Sequence, residues 1–141
     1  MRKIMIVDDN YLSAEGIEKN IDWEVLNAEI VHICYNGTSA IDAMKKEPVD
    51  LIISDIEMPD LDGISMSRQA LDINPMVKII LISAYDKFEY ARRALLLGAL
   101  DYIEKPLDYA YLIQKVKNAF ALMEREQKNL QLLKQSRPLL I

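Results

Sequence analysis

Val49-Asp50-Leu51-Ile52-Ile53-Ser54-Asp55, continued by Ile56-Glu57-Met58-Pro59-Asp60-Leu61-Asp62-Gly63, is the stretch that decides the fold. A short, nearly continuous apolar run rich in isoleucine reads as a strand covered on both faces, the usual state of central strands in parallel sheets. This run stops on an acid and enters a turn holding Pro59, and Asp62-Gly63 then has the chemistry of a helix start.

Working outward, β-rich runs recur at Lys3-Val7, Glu29-Cys34, Lys78-Ser83 and Asp101-Ile103, and the segments between the first four strands carry apolar residues at helical spacing. The runs at Lys3-Val7 and Lys78-Ser83 are as apolar as Val49-Ser54, whereas Glu29-Cys34 is mixed and suits an edge. This β/α alternation predicts an α/β domain with a five-stranded parallel sheet between two helical layers, a three-layer sandwich. Asn10 or Asp9 can cap a first helix and Asn36-Gly37-Thr38 opens a second. Pro48, Pro59, Pro75 and Pro106 fall at joints, and a fourth helix, about Lys87 to Leu97, ends at Gly98.

From about Asp108 a single helical segment is expected to run to roughly Lys134, about 40 Å at 1.5 Å per residue, longer than such a sheet can cover. Leu112, Ile113, Val116, Ala119, Phe120 and Met123 supply its core stripe; Glu124 to Lys128 is polar, and only Leu130, Leu132 and Leu133 return. The expected division is a domain over residues 1–122 and a helical extension or linker over 123–141, a candidate for pairing helices or for a solvated tail. The apolar end Pro138-Leu139-Leu140-Ile141 suggests that a longer protein continues beyond it.

A chain of 141 residues, 51% hydrophobic and 28% charged, suffices for one globular domain with a core. Cys34 as the single cysteine excludes an intramolecular disulfide, and with His32 as the single histidine no zinc site of four Cys or His ligands can form. Met1-Arg2-Lys3 leads only into the short run Ile4–Val7, too brief for a signal-peptide core, and no stretch approaches a membrane span, so a cytoplasmic location is expected. The net charge of −5, from 17 Lys+Arg against 22 Asp+Glu, argues against nucleic-acid binding by this chain itself.

In open α/β sheets functional groups gather beyond the carboxyl ends of the strands. Strand one ends in Asp8-Asp9, strand three in Asp55, strand four in Ser83, and strand five runs into Lys105-Pro106. Clustered carboxylates repel unless a cation lies between them, and Mg²⁺ fits hard oxygen ligands and a phosphate oxygen together. A carboxylate can attack phosphorus to give an acyl phosphate, a transfer that needs mainly positioning and charge neutralisation. Each residue alone reads as a cap, a turn or a surface group; their joint placement at one edge carries the expectation that Asp55 accepts a phosphoryl group.

Three segments, Ile4-Met5-Ile6-Val7-Asp8-Asp9, Asp55-Ile56-Glu57-Met58-Pro59-Asp60-Leu61-Asp62-Gly63 and Leu97-Gly98-Ala99-Leu100-Asp101-Tyr102-Ile103-Glu104-Lys105-Pro106, occur in the order and form seen in a known family. The chain resembles receiver domains of bacterial two-component response regulators over about Lys3 to Leu122. The resemblance implies a flavodoxin-like (CheY-like) fold with strand order 2-1-3-4-5, Asp55 as phosphoacceptor, and Lys105 contacting the phosphoryl group. It implies Mg²⁺ on Asp9, Asp55 and the backbone carbonyl of Glu57, with Asp8 acting mainly through water. Ser83 and Tyr102 would form the switch, and a sensor histidine kinase would be the phosphodonor.

In many relatives the surface of helix four, strand five and helix five dimerises, and Lys87, Arg92, Arg93, Asp101 and Glu104 could offer complementary charges there. Asp9-Asn10-Tyr11-Leu12, Asn20-Ile21-Asp22-Trp23-Glu24 and Ser83-Ala84-Tyr85-Asp86-Lys87-Phe88-Glu89-Tyr90-Ala91 look like receivers attached to AraC-type DNA-binding domains, the group typified by the YesN regulators. Any DNA contact would then belong to an output domain absent from this chain. The resemblance implies a switch rather than an enzyme; the competing reading is a Mg²⁺-dependent phosphohydrolase with an aspartate nucleophile, although such enzymes carry that nucleophile after the first strand.

The chain departs from the family pattern at Asn10, where an acid is usual, and at Ser83, where threonine is commoner. Glu57 and Tyr85 occupy positions that in such domains tune acyl-phosphate hydrolysis. His32, Cys34, Trp23 and Leu26 read as structural, and the methionines lack the spacing of a cofactor box.

Overall fold

In a computed structural model of the chain, the described residues are 1–84 and 101–136, with 89, 92, 93, 96 and 98 between them. Strands β1 (Arg2–Val7), β2 (Ala28–Cys34), β3 (Leu51–Asp55), β4 (Lys78–Ser83) and β5 (Asp101–Glu104) form one sheet of order β2-β1-β3-β4-β5. Every pairing in it is parallel. Helices α1 (Tyr11–Asn20), α2 (Gly37–Lys46) and α3 (Gly63–Ile73) fill the connections, and a C-terminal helix spans Tyr109–Ser136. This is the flavodoxin-like three-layer architecture expected from the β/α alternation. The expected helix at Lys87 to Leu97 lies largely outside the described residues, as do Tyr85 and Lys87.

Alternation along the central strands divides the core in two. Met5, Val7, Ile52 and Leu81 face Ile41, Met44, Ile64 and Met66 of α2 and α3. Ile4, Ile6, Ile53 and Ile80 face Ala14 and Ile17 of α1 together with Leu112, Val116 and Ala119 of the C-terminal helix. Burial on both faces is why β1, β3 and β4 are unbroken apolar runs, and β2, on the edge, keeps Ile30 to Ile33 only partly buried.

Local chemistry sets the helix starts at the carboxyl edge. Asn10 caps α1, its side chain accepting from the backbone N–H groups of Leu12 and Ser13. Asn36 caps α2 through Ser39 N–H and Asp62 caps α3 through Ser65 N–H. Register brings the strand ends together: Asp55 lies opposite Ile82 and Ser83 opposite Glu104.

The C-terminal helix is continuous across the expected boundary near Leu122 and ends two residues beyond Lys134. Met123 is buried, Lys78 Nζ pairs with Glu126 Oε1 at 2.8 Å, and Arg2 Nη2 reaches Gln127 Oε1 at 3.4 Å. Residues 127–135 are exposed, Leu130, Leu132 and Leu133 among them. Among the described residues no helix is long and apolar enough to cross a membrane.

Gly63 is required by a close approach. A Cβ there would be driven into the Asp55 backbone carbonyl oxygen and would lie 2.9 Å from Ile56 Cα, both backbone atoms that cannot swing aside. Gly63→Ala is therefore expected to destabilise the fold by at least about 2 kcal/mol in urea denaturation, well beyond the cost of a surface substitution.

Candidate functional site

Each strand end delivers one group to the same edge. β1 runs into Asp8 and Asp9, β3 closes on Asp55, β4 closes on Ser83, and Lys105 follows β5, its N–H bonded to the Ser83 carbonyl at 2.8 Å. The Asp55 loop is held by its backbone: Ile56 N–H donates to Ile82 O at 2.9 Å and Gly63 N–H to Ile56 O at 2.8 Å. Outside it, Thr38 Oγ1 donates to Asp60 Oδ2 at 2.5 Å, tying the loop to the start of α2.

Asp8 and Asp55 are buried, at 2% and 6% exposure, whereas Asp9 is exposed. One ligand oxygen from each of the three carboxylates lies within 4.8 Å of the others. Lys105 Nζ stands 3.3 Å from Asp55 Oδ2 and 3.6 Å from Asp8 Oδ2, an ammonium shared between two acids. Asn10 N–H donates to Asp8 Oδ1 at 2.9 Å, so the residue in place of the family's acid caps α1 and orients Asp8.

The electrostatics follow from this crowding. Burial first, and then the charge of Asp8, push the Asp55 carboxyl up to about 6, against the pull of Lys105 and of the Glu57 backbone N–H. Burial likewise raises Asp8, opposed by Asn10 N–H and Lys105. For Lys105 burial alone would lower the ammonium, but attraction to Asp55 and Asp8 outweighs it and leaves it raised. The site is short of positive charge. Three hard oxygen donors with one ammonium match the needs of a small divalent cation such as Mg²⁺.

The switch pair expected from the resemblance also meets here. Ser83 Oγ donates to Glu57 Oε1 at 3.3 Å, and burial raises the Tyr102 hydroxyl while hydrogen bonding with Ser83 opposes the rise. The Glu57 carboxylate, expected at a position that tunes acyl-phosphate hydrolysis and as a backbone carbonyl ligand, thus also contacts Ser83, a contact that strand-end reasoning did not find. Asp101 is paired within its own chain, to Lys115 Nζ at 3.1 Å, while Glu104, Arg92 and Arg93 are exposed. His32 accordingly stays structural, its Nε2 2.9 Å from Glu47 O, and Cys34 is buried 3.9 Å from Met5 Sδ.

Sheet order and acidic edge place the chain among the doubly wound α/β domains that work at their strand ends. Residues 4–117 match the family of the response regulator receiver domain, and the chain belongs to it: it is the receiver domain of a two-component response regulator. The chain is 29% identical over 126 residues to the uncharacterized transcriptional regulatory protein YesN of Bacillus subtilis, a match covering 89% of this chain and 34% of that protein. It is 34% identical, with a TM-score of 0.84, to the REC domain of AraT, a response regulator from Geobacillus stearothermophilus, covering 89% of this chain and 98% of that one. It is 30% identical, with a TM-score of 0.80, to a two-component transcriptional regulator AraC from Clostridium phytofermentans, covering 92% and 99%. The chain therefore spans about a third of YesN's length.

The raised Asp55 carboxyl fixes a pH dependence. Between the ordinary value of 3.8 and about 6 the folded state holds more protons than the unfolded state, so stability falls as pH rises through that window. In chelator at pH 7.5, Asp55→Asn is expected to be more stable than the native protein by about 1–2 kcal/mol, a gain that shrinks toward zero near pH 4. Thermal melts across that range measure it.

Proposed function

We propose that Asp55 receives a phosphoryl group from the phosphohistidine of a sensor histidine kinase. The reading is carried by one observation: Lys105 bridges buried Asp55 and Asp8, with Asp9 inside the same 4.8 Å cluster. An Asp55 carboxylate oxygen attacks phosphorus, the bond from phosphorus to the donor nitrogen breaks, and the electron pair leaves with the imidazole. Lys105 offsets charge on the transferred oxygens, and Ser83 donates to one of them. Asp8, Asp9, Asp55 and the Glu57 backbone carbonyl would hold Mg²⁺, which when bound supplies the positive charge that the site lacks. A cavity of about 330 Å³ lies between the Asn10 cap and Lys105, its lining including Leu12, Pro106 and Tyr109, and the donor would dock against it.

The consequence is conformational rather than catalytic. Loading draws Ser83 toward the phosphoryl group and alters Tyr102, and the change passes to a C-terminal output domain, of AraC type by the likeness to YesN and its relatives. DNA binding belongs to that output domain, in the cytoplasm. Two copies of the loaded protein associate through the surface about β5 and the C-terminal helix or through the helical extension beyond Gln127.

With acetyl phosphate and Mg²⁺ the protein is expected to gain the mass of one phosphoryl group; chelation or Asp55→Asn abolishes the gain, and a gain retained by Asp55→Asn refutes the assignment. For the extension, truncation after Lys128 preserves the anchoring contacts of Glu126 and Gln127 and is expected to leave the melting temperature within about 2 °C. Its dimer dissociation constant by sedimentation should rise about tenfold or more, and an unchanged constant excludes pairing through Leu130 to Leu133.

A further inference from the structure

We propose that the Glu57 carboxylate competes with the phosphoryl group for the Ser83 hydroxyl, holding it while Asp55 is unloaded and so acting as a positioning residue of the switch. The proposal rests on Asp55 being the phosphoacceptor and names what its response must first displace.

Ser83 has little else that can move. It is fully buried at the end of β4, pairs with Glu104 of β5, and its carbonyl accepts from Lys105 N–H at 2.8 Å. Asp55 is fixed on the other side by its register with Ile82 and by the bond from Ile56 N–H to Ile82 O. With the backbone held, the freedom left to Ser83 is rotation of one side-chain bond. Its hydroxyl carries a single hydrogen, which can be given to one acceptor at a time.

Glu57 takes that hydrogen although its own side chain stands at the surface, where water could satisfy it. At 3.3 Å the bond is longer than the usual 2.7–2.8 Å of a hydroxyl donor, so it is charge-assisted yet easily surrendered. The same carboxylate bears on Tyr102, whose hydroxyl hydrogen-bonds with Ser83 and feels the Glu57 charge. The Glu57 carboxylate and the Tyr102 hydroxyl thus both bear on the one Ser83 hydrogen. A phosphoryl oxygen on Asp55 that captures the Ser83 hydrogen turns the hydroxyl away from Glu57 and changes the hydrogen bond it shares with Tyr102. One exchange of acceptors thereby reaches two residues.

Glu57→Gln keeps the shape and weakens the acceptor, but it also removes a negative charge near an incoming anion, so the test is a double-mutant cycle with Ser83→Ala. The probe is beryllofluoride with Mg²⁺, titrated calorimetrically into the native protein, Glu57→Gln, Ser83→Ala and the double variant. With Ser83 present, Glu57→Gln is expected to tighten beryllofluoride binding by about three- to tenfold; with Ser83→Ala the gain should be under about twofold. Equal tightening in both backgrounds, or none in either, overturns the proposal. In parallel, the amide resonances of Ser83 and Tyr102 in unloaded Glu57→Gln should shift part of the way toward their beryllofluoride-bound positions in the native protein; unmoved Tyr102 counts against the relay. Failure of the native protein to bind beryllofluoride or to gain phosphoryl mass overturns the phosphoacceptor reading itself, and the relay with it.

Discussion

Two carboxylates nearly out of contact with solvent, Asp8 and Asp55, share a single ammonium, Lys105. Removing charge from water is costly, and one cation cannot neutralise two anions plus the exposed Asp9. The arrangement persists because each group is held by backbone that cannot relax without breaking the sheet. Asp8 follows β1 into the cap of α1; Asp55 closes β3 and is seated against Gly63; Lys105 continues the β5 ladder by one residue to reach the Ser83 carbonyl. Binding of a small divalent cation would relieve this electrostatic deficit, and so would protonation of Asp55 near pH 6. Structural rigidity is thus what holds the acids and Lys105 together.

How much was legible in the sequence depends on whether a feature is local. The apolar runs of β1, β3 and β4 and the caps at Asn10, Asn36 and Asp62 could be read directly, because each is set by residues within one turn or one strand of itself. Strand order is not local, but it needed only the parallel topology and the family pattern. The acids, Lys105 and Ser83 followed because strand ends in such a sheet have to meet. The contact of the Glu57 side chain with Ser83 was not legible: its spacing of two residues from Asp55 says nothing about whether it turns back over the edge toward β4. The pairs Lys78–Glu126 and Asp101–Lys115 join residues brought close only by helix docking, and no periodicity announces them.

Those unread pairs bear most on how the acidic edge is joined to the C-terminal helix. Lys78 and Ser83 are the two ends of β4: one contacts the root of the helical extension through Glu126, the other stands at the acidic edge. β4 is laddered to β3 and to β5 and is buried along most of its length, so it has no slack with which to transmit a displacement along its axis. Its contribution is to hold the site and the helix root at a constant separation.

Under the proposed loading of Asp55, change would therefore travel across the sheet rather than along it. Ser83 can exchange acceptors by rotating one bond, and Tyr102 on the neighbouring strand is its hydrogen-bond partner. Tyr102 adjoins Asp101, whose carboxylate accepts from Tyr102 N–H at 2.9 Å and also pairs with Lys115 of the C-terminal helix, the ammonium lying 5.0 Å from the Tyr111 ring centroid. A displaced Tyr102 would disturb the residue that ties β5 to the C-terminal helix. The hydroxyl, the phenol and the ion pair are adjacent, and a local charge can become a change of surface through rotatable and ionic groups of this kind. A rigid acidic edge and a few rotatable side chains on one flank are together what the proposed switch requires.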